Sequence, residues 1–407
     1  MNSPVIQPML EDVQSPEKAA MTAKPGITWH VITCEYPPQS GGVSDYTYLL
    51  AKGMAVRGDQ VHIWCPAGSA NAPEIPGVEV HPQLGRLSPA DLRRAGTELD
   101  RFPNTRRLLV QWVPHGFGYK SLNLPFCLWL WYRSAFGRDR IDLMVHEPFL
   151  PFERGRWRQN AAAAVHRLMT VILLRTADRV WVSTPTWEKL LRAYEWGRHH
   201  KYTWLPLPSN VPRVNDSAGA NAIREKYGQG PVLGHFGTFG PLIKPLLASI
   251  IPALLRKAPD ASLVLIGGGS KAFRDNLVKE CRDLEDRVYA IGHIDARDPQ
   301  LSLHLSACDL LIQPYPDGVT SRRTTVMAAL SHGRPAVTTA GELTESFWES
   351  SDAVVLAPAG DSAAFVESTL RLLRNPEERA SIGKSAMEFY KRNFEIEQIV
   401  ELLHRPD

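Results

Sequence analysis

A strand, a glycine-containing loop, a helix and a second strand follow one another within about 40 residues near the start of the chain, and this run limits the fold more than any other feature. Residues 27–34 (Ile-Thr-Trp-His-Val-Ile-Thr-Cys) are rich in β-branched and aromatic side chains and predict a strand. Tyr36-Pro-Pro-Gln-Ser-Gly-Gly42 is a turn-rich loop, and Ser44 or Asp45 stands where a helix cap belongs. Tyr46, Leu49, Leu50, Gly53 and Met54 recur at helical spacing, and the helix ends near Gly58. Residues 61–65 (Val-His-Ile-Trp-Cys) form the next strand. Strands joined through a crossover helix pair in parallel, and a parallel sheet must be covered by helices.

The same grammar continues. Strands are expected at 108–113, 141–145 and 179–183, with helices at 122–136, 158–175 and 185–195. After the proline-rich stretch at 204–212, Asn215-Asp-Ser-Ala-Gly219 reads as a linker, and the pattern restarts. Strands at 232–236, 262–266, 288–291, 309–313, 335–339 and 353–356 alternate with helices at 243–257, 271–281, 299–306, 323–332, 362–373 and 377–404. The fold class is therefore α/β, as two doubly wound, Rossmann-like domains of about 190 residues each. The expected division is a disordered leader at 1–24, an N-terminal domain at 25–210, a C-terminal domain at 211–385, and a closing helix at 386–407 that returns to the N-terminal domain.

Composition narrows the partners. The net charge is +3, which gives nucleic acid no reason to bind. Five scattered cysteines without a C-x-x-C pair suggest neither a disulfide framework nor a zinc cage, and point to a reducing compartment. The apolar run at 122–132 is interrupted by Asn123 and Pro125 and falls short of the roughly 20 residues that a membrane span needs. Glu11, Asp12 and Glu17 occupy the place of a signal peptide's basic start and apolar core, so the expected location is cytoplasmic.

Residues 314–333 are the most informative for chemistry. Gly318 permits a turn, Ser321 is a candidate N-cap, and a helix is expected to begin at Arg322-Arg323. Two cations in a first helical turn oppose the macrodipole, at a cost of a few tenths to about 1 kcal/mol each. A bound anion reverses that sign, because amide N–H groups and guanidinium forks then converge on it; the other reading pairs both arginines with carboxylates such as Asp317. Gly234-His-Phe-Gly-Thr-Phe-Gly-Pro-Leu-Ile-Lys244 offers a second phosphate element, with the glycines allowing close backbone approach and Lys244 near a helix start. A plain turn and a solvated lysine are the alternatives there. Gly41-Gly42 stands in the same relation to the first strand. No D-x-D occurs, and His199-His200 lacks a ligand set, so no metal is expected.

Taken together, Tyr36-Pro-Pro-x-x-Gly-Gly-Val43, Ala177-Asp-Arg-Val-Trp-Val-Ser183, Leu205-Pro-Leu-Pro-Ser-Asn-Val211, Leu263-Val-Leu-Ile-Gly-Gly-Gly269, Ala307-Cys-Asp-Leu-Leu-Ile-Gln-Pro-Tyr315 and Ala329-Leu-Ser-His-Gly-Arg-Pro-Ala-Val337 resemble family-4 glycosyltransferases of the GT-B fold, from about residue 27 to the end. The resemblance implies a nucleotide-diphosphate sugar as donor, bound mainly by the C-terminal domain, and a glycan, lipid-linked or small-molecule acceptor on the N-terminal side. It implies transfer with retention in the interdomain cleft, without a cofactor.

It also implies a set of site residues: His146, Glu147, Lys244 and Arg322 for catalysis; Gly41, Gly42, Gly237, Thr238, Lys244, Ser321, Arg322, Arg323 and Thr324 for the donor; and His115 on the acceptor side. The chain departs from the family where two glutamates are usual, holding Thr320 and Ala328, and Thr238 replaces an arginine. A nucleotide-sugar 2-epimerase and a catalytically silent ligand-binding paralogue are therefore the competing expectations. The aromatic run Phe126-Cys-Leu-Trp-Leu-Trp-Tyr132, with Arg133, Arg138, Arg140, Arg154, Arg156 and Arg158 following, is expected to be core, with a peripheral membrane contact as the alternative.

Overall fold

The computed structural model describes residues 26–406 except 40, 70–71, 104, 118–120 and 138, so the leader expected at 1–24 lies outside the described residues. The described residues form two sheets, both parallel throughout. The first contains β1 (Thr28–Thr33), β2 (Gln60–Trp64), β3 (Val78–His81), β4 (Arg106–Trp112), β5 (Asp139–Val145), β6 (Arg179–Val182) and β7 (Tyr202–Trp204), in the order β3-β2-β1-β4-β5-β6-β7. The second contains β8 (Val232–Phe236), β9 (Ser262–Ile266), β10 (Val288–Gly292), β11 (Leu310–Gln313), β12 (Ala336–Ala340) and β13 (Val355–Pro358), in the order β10-β9-β8-β11-β12-β13. This is the GT-B arrangement of two doubly wound domains. Strand order reverses at β1/β4 and again at β8/β11, and ligands of such sheets bind beyond the strand ends at those points.

Short elements escaped the sequence reading. β3 and β7 have only four and three residues. The helix Pro89–Leu99 carries a capping box in which Ser88 and Asp91 satisfy each other's backbone amides. Residues 215–219 are not a linker: the Asp216 side chain accepts from the Gly219 amide and starts the helix Ser217–Glu225. Nor is 377–404 one helix. It breaks at Phe394-Glu395 into Pro376–Asn393 and Ile396–His404. The last segment packs into the N-terminal core, burying Ile399, Val400 and Leu403 with Leu50 and Met54 of the helix Gly42–Arg57.

Arg133 is buried rather than part of a surface basic patch. Its guanidinium and that of Arg106 both bond the fully buried Asp139 carboxylate, and Arg133 also donates to Asp100 at 2.8 Å. This cluster ties the helix Leu124–Phe136 to β4 and β5. Replacing Asp139 by Asn leaves two buried cations facing a neutral amide. We expect a loss of about 3–5 kcal/mol, measured as a lower urea midpoint with an unchanged slope.

Candidate active site in the interdomain cleft

A cleft of about 470 Å³ opens where both reversal points meet. Pro37, Gln39, Gly41, Gly42, Asp45 and Asn210 wall it from the N-terminal domain. From the other side come the loops after β8 (Gly237, Thr238), β9 (Gly267, Gly268) and β10 (His293 to Arg297), together with Tyr315 and the stretch Arg322 to Thr325. Gly267 has φ +125°, and a Cβ there would overlap the Gly237 carbonyl oxygen, so the two loops can meet only through glycine.

The helix Gly42–Arg57 has no cap from Ser44 or Asp45. The Glu35 carboxylate accepts from the Val43 and Ser44 amides at 3.0 Å each, and Gly41 makes room for it. Ser44 is buried and donates to the Gln39 carbonyl, while Asp45 accepts from Asn210 across the cleft wall.

The arginine loop also differs from the sequence expectation. The helix begins at Thr324, and Ser321 neither caps it nor lines the cleft. Ser321 is fully buried, with its amide and hydroxyl held by Glu345 and the hydroxyl also 3.0 Å from the Ser183 carbonyl of the other domain. Thr184 Oγ1 and Trp348 Nε1 donate to the same carboxylate. Held this way, the loop presents two guanidinium groups to the cleft. Arg322 donates to Glu147 at 3.2 Å and lies 4.8 Å over the Trp187 ring. Arg323 donates to Asp317 at 2.6 Å and lies 4.3 Å over the Tyr315 ring. Both arginines are thus paired with carboxylates, as the alternative reading has it, Arg323 with Asp317 and Arg322 with Glu147 of the other domain. In both, Nε is buried without a partner among the described residues, and each guanidinium keeps terminal N–H groups beyond the one its carboxylate takes.

Glu147 is half-exposed and also faces His115 Nδ1 at 3.4 Å, so a His115–Glu147–Arg322 chain spans the domains. His146 is placed elsewhere. It is buried behind the cleft, its Nε2 bonding Gln111 Oε1 at 2.7 Å with the Tyr46 ring edge-on, and it does not line the cleft. Burial, reinforced by the Arg322 charge, pushes its pKa down to about 3, so it is neutral. Lys244 is exposed at the head of the helix Lys244–Lys257, outside the described lining.

His235 was missed, although a histidine inside the apolar strand Val-Leu-Gly-His-Phe is a visible anomaly. Its Nδ1 donates to the Ile312 carbonyl at 2.8 Å, and burial pushes its pKa down to about 4. The neutral ring thus keeps a buried, unpartnered Nε2 lone pair in a residue that lines the cleft. Gln313, with a buried unpaired Oε1, is a second acceptor in the same wall.

Comparisons with known proteins agree with this layout. Residues 41–208 match the family described as "Glycosyl transferase 4-like domain", and residues 230–375 match "Glycosyl transferases group 1". The chain belongs to the family-4 glycosyltransferases. The phosphatidyl-myo-inositol mannosyltransferase of Mycobacterium leprae is 20% identical over 386 residues, covering 89% of this chain and 92% of that protein. Among solved structures, the sucrose-phosphate synthase of Thermosynechococcus elongatus superposes with a TM-score of 0.70 at 19% identity, covering 93% and 97% of the two chains. HepE of Anabaena, in complex with UDP and glucose, gives 0.63 at 18% identity, covering 92% and 97%. These likenesses are to the whole two-domain fold.

The Glu345 knot fixes how this glycosyltransferase presents its arginines. Glu345→Ala orphans the buried Ser321, Thr184 and Trp348 donors at about 1–3 kcal/mol each. We expect a calorimetric midpoint several degrees lower, with partial recovery in Glu345→Gln.

Proposed function

We propose that the enzyme transfers a sugar from a nucleoside-diphosphate sugar to its acceptor with retention and without a metal ion in the cleft. One observation carries this reading: two arginines with unsatisfied donors enter the same cleft as the glycine loops and the first turn of the helix Thr324–Ser331. A departing diphosphate develops charge, and preorganised cations at that spot lower the barrier. Two guanidinium groups supply what a metal would otherwise bring. The backbone at Gly41, Gly42, Gly237 and Thr238 completes the donor cradle.

The resemblance to retaining family-4 enzymes supports retention. Of the cleft carboxylates, Asp45 accepts from Asn210 and Asp295 accepts from the Arg297 amide at 2.9 Å. The leaving phosphate then takes the acceptor proton on the face it departs from. Glu147, held between His115 and Arg322, orients the acceptor side. HepE has also been solved in complex with UDP-glucose, which makes UDP the first nucleotide to test.

Arg322→Ala and Arg323→Ala should each weaken UDP or GDP binding by about tenfold or more, the loss of one charge-assisted contact. Calorimetric titration with and without EDTA reads this; equal affinity in wild type and variants removes the diphosphate assignment. Sugar transfer to an added acceptor distinguishes a transferase from an epimerase, which would alter the donor alone, and from a silent binder.

The acceptor is proposed to be lipid-linked. The helix Leu124–Phe136 buries Phe126, Cys127 and Leu130 but exposes Leu128, Trp131, Tyr132 and Phe136, the last at 70%. The neighbouring helix Trp157–Thr176 adds exposed Trp157 beside Arg158, with Arg154 and Arg156 just before it. An aromatic face edged with cations fits an anionic bilayer, and the mycobacterial relative is named for a phospholipid acceptor. No helix among the described residues is long and apolar enough to cross a membrane, so the contact would be peripheral. Phosphatidylglycerol-containing vesicles should pellet the wild type and lose most of the Trp131→Ser/Phe136→Ser variant; equal pelleting overturns the reading.

A further inference from the structure

Away from the cleft, the outer edge of the N-terminal sheet gathers a second set of chemically capable side chains. His62 on β2 pairs in register with Glu79 on β3, and His81 lies two residues further on. The period of two puts all three on one face of the sheet. Nδ1 of His62 is 3.0 Å from Nε2 of His81. The Glu79 carboxylate closes the triangle, 3.3 Å from His62 and 3.7 Å from His81. The three ligand atoms lie within 4.8 Å of one another.

The rings are held in place before any ligand arrives. His62 stacks on His30 at 5.0 Å, and His81 stacks on Trp64 at 4.3 Å. Phe102 sits edge-on against His30 and His62, at 4.6 Å from each. Both histidine side chains are only 12–13% exposed, whereas Glu79 is 66% exposed. The cluster therefore has a rigid apolar floor and one side open to solvent. Two ring nitrogens this close can share one proton at best, whereas a cation satisfies both lone pairs and the carboxylate together. Tetrahedral zinc, with Zn–N of about 2.0–2.1 Å, needs its nitrogens roughly 3.3 Å apart, a few tenths of an ångström from the spacing present.

We propose that His62, Glu79 and His81 bind one zinc-class divalent cation that fastens edge strand β3 to β2. Imidazole and carboxylate donors suit Zn²⁺, Ni²⁺ or Co²⁺ rather than Mg²⁺ or Ca²⁺, which take oxygen sets. The remaining coordination position faces solvent and takes water. None of the three residues lines the cleft, so the role is structural and separate from sugar transfer.

The full chain, stripped with EDTA, is dialysed against Zn²⁺ and its bound metal counted. One equivalent is expected, undisplaced by excess Mg²⁺. Affinity should fall by roughly tenfold or more in His62→Ala, His81→Ala and Glu79→Gln, at least the scale that an outer-shell change alone produces. Glu79→Gln is the decisive variant, because its exposed side chain can change without disturbing the aromatic floor. Co²⁺ provides a second readout, a visible absorption that disappears in the same variants and persists in His199→Ala. Failure to retain Zn²⁺, or equal retention by wild type and Glu79→Gln, overturns the proposal.

Discussion

The buried carboxylate of Glu345 is the interaction on which the cleft depends. It collects hydrogen bonds from the Ser321 amide and hydroxyl, from Thr184 of the opposite domain and from Trp348. A buried charge is tolerable only when its lone pairs are met in this way. The satisfied knot fixes Ser321 against the Ser183 carbonyl, and Arg322 and Arg323 follow directly in the chain. Glu345 thus acts on them through Ser321, the residue just before them in the chain.

Around that knot the two domains are joined by contacts of different kinds. Trp204 stacks on Phe347 at 5.0 Å, the Tyr390 hydroxyl accepts from the Ser209 amide, and Arg322 reaches Glu147. On the far side the final helix packs into the N-terminal core, where His404 Nε2 lies 2.8 Å from Asp59. The chain crosses between the domains near Ser209 and again near Phe394, so two covalent passages join them.

The arginine loop breaks a local rule. Two cations next to a helix start are unfavourable by themselves. Here Glu147 and Asp317 offset part of the charge, and aromatic faces of Trp187 and Tyr315 support the planes. Places where local preference and fold disagree are where binding chemistry is to be sought. Ala328 is packed in the core and Thr320 is buried, and neither lines the cleft.

Alternation of strands and helices determined the two parallel sheets, because hydrophobic periodicity and crossover length are local properties of the chain. Gly237 and the arginine pair were likewise legible as candidates, since backbone freedom and charge sign are written in single residues, whereas the meeting of Gly267 with Gly237 was not. Short elements such as β3 and β7 were not, because three or four residues carry too little periodicity to register. Tertiary structure alone decided that Glu35 caps the first helix and that Glu345 holds Ser321. It also decided that His146 lies behind the cleft while His235 faces it. Each of these depends on which side chains meet across tens or hundreds of residues, and sequence spacing carries no record of such a meeting.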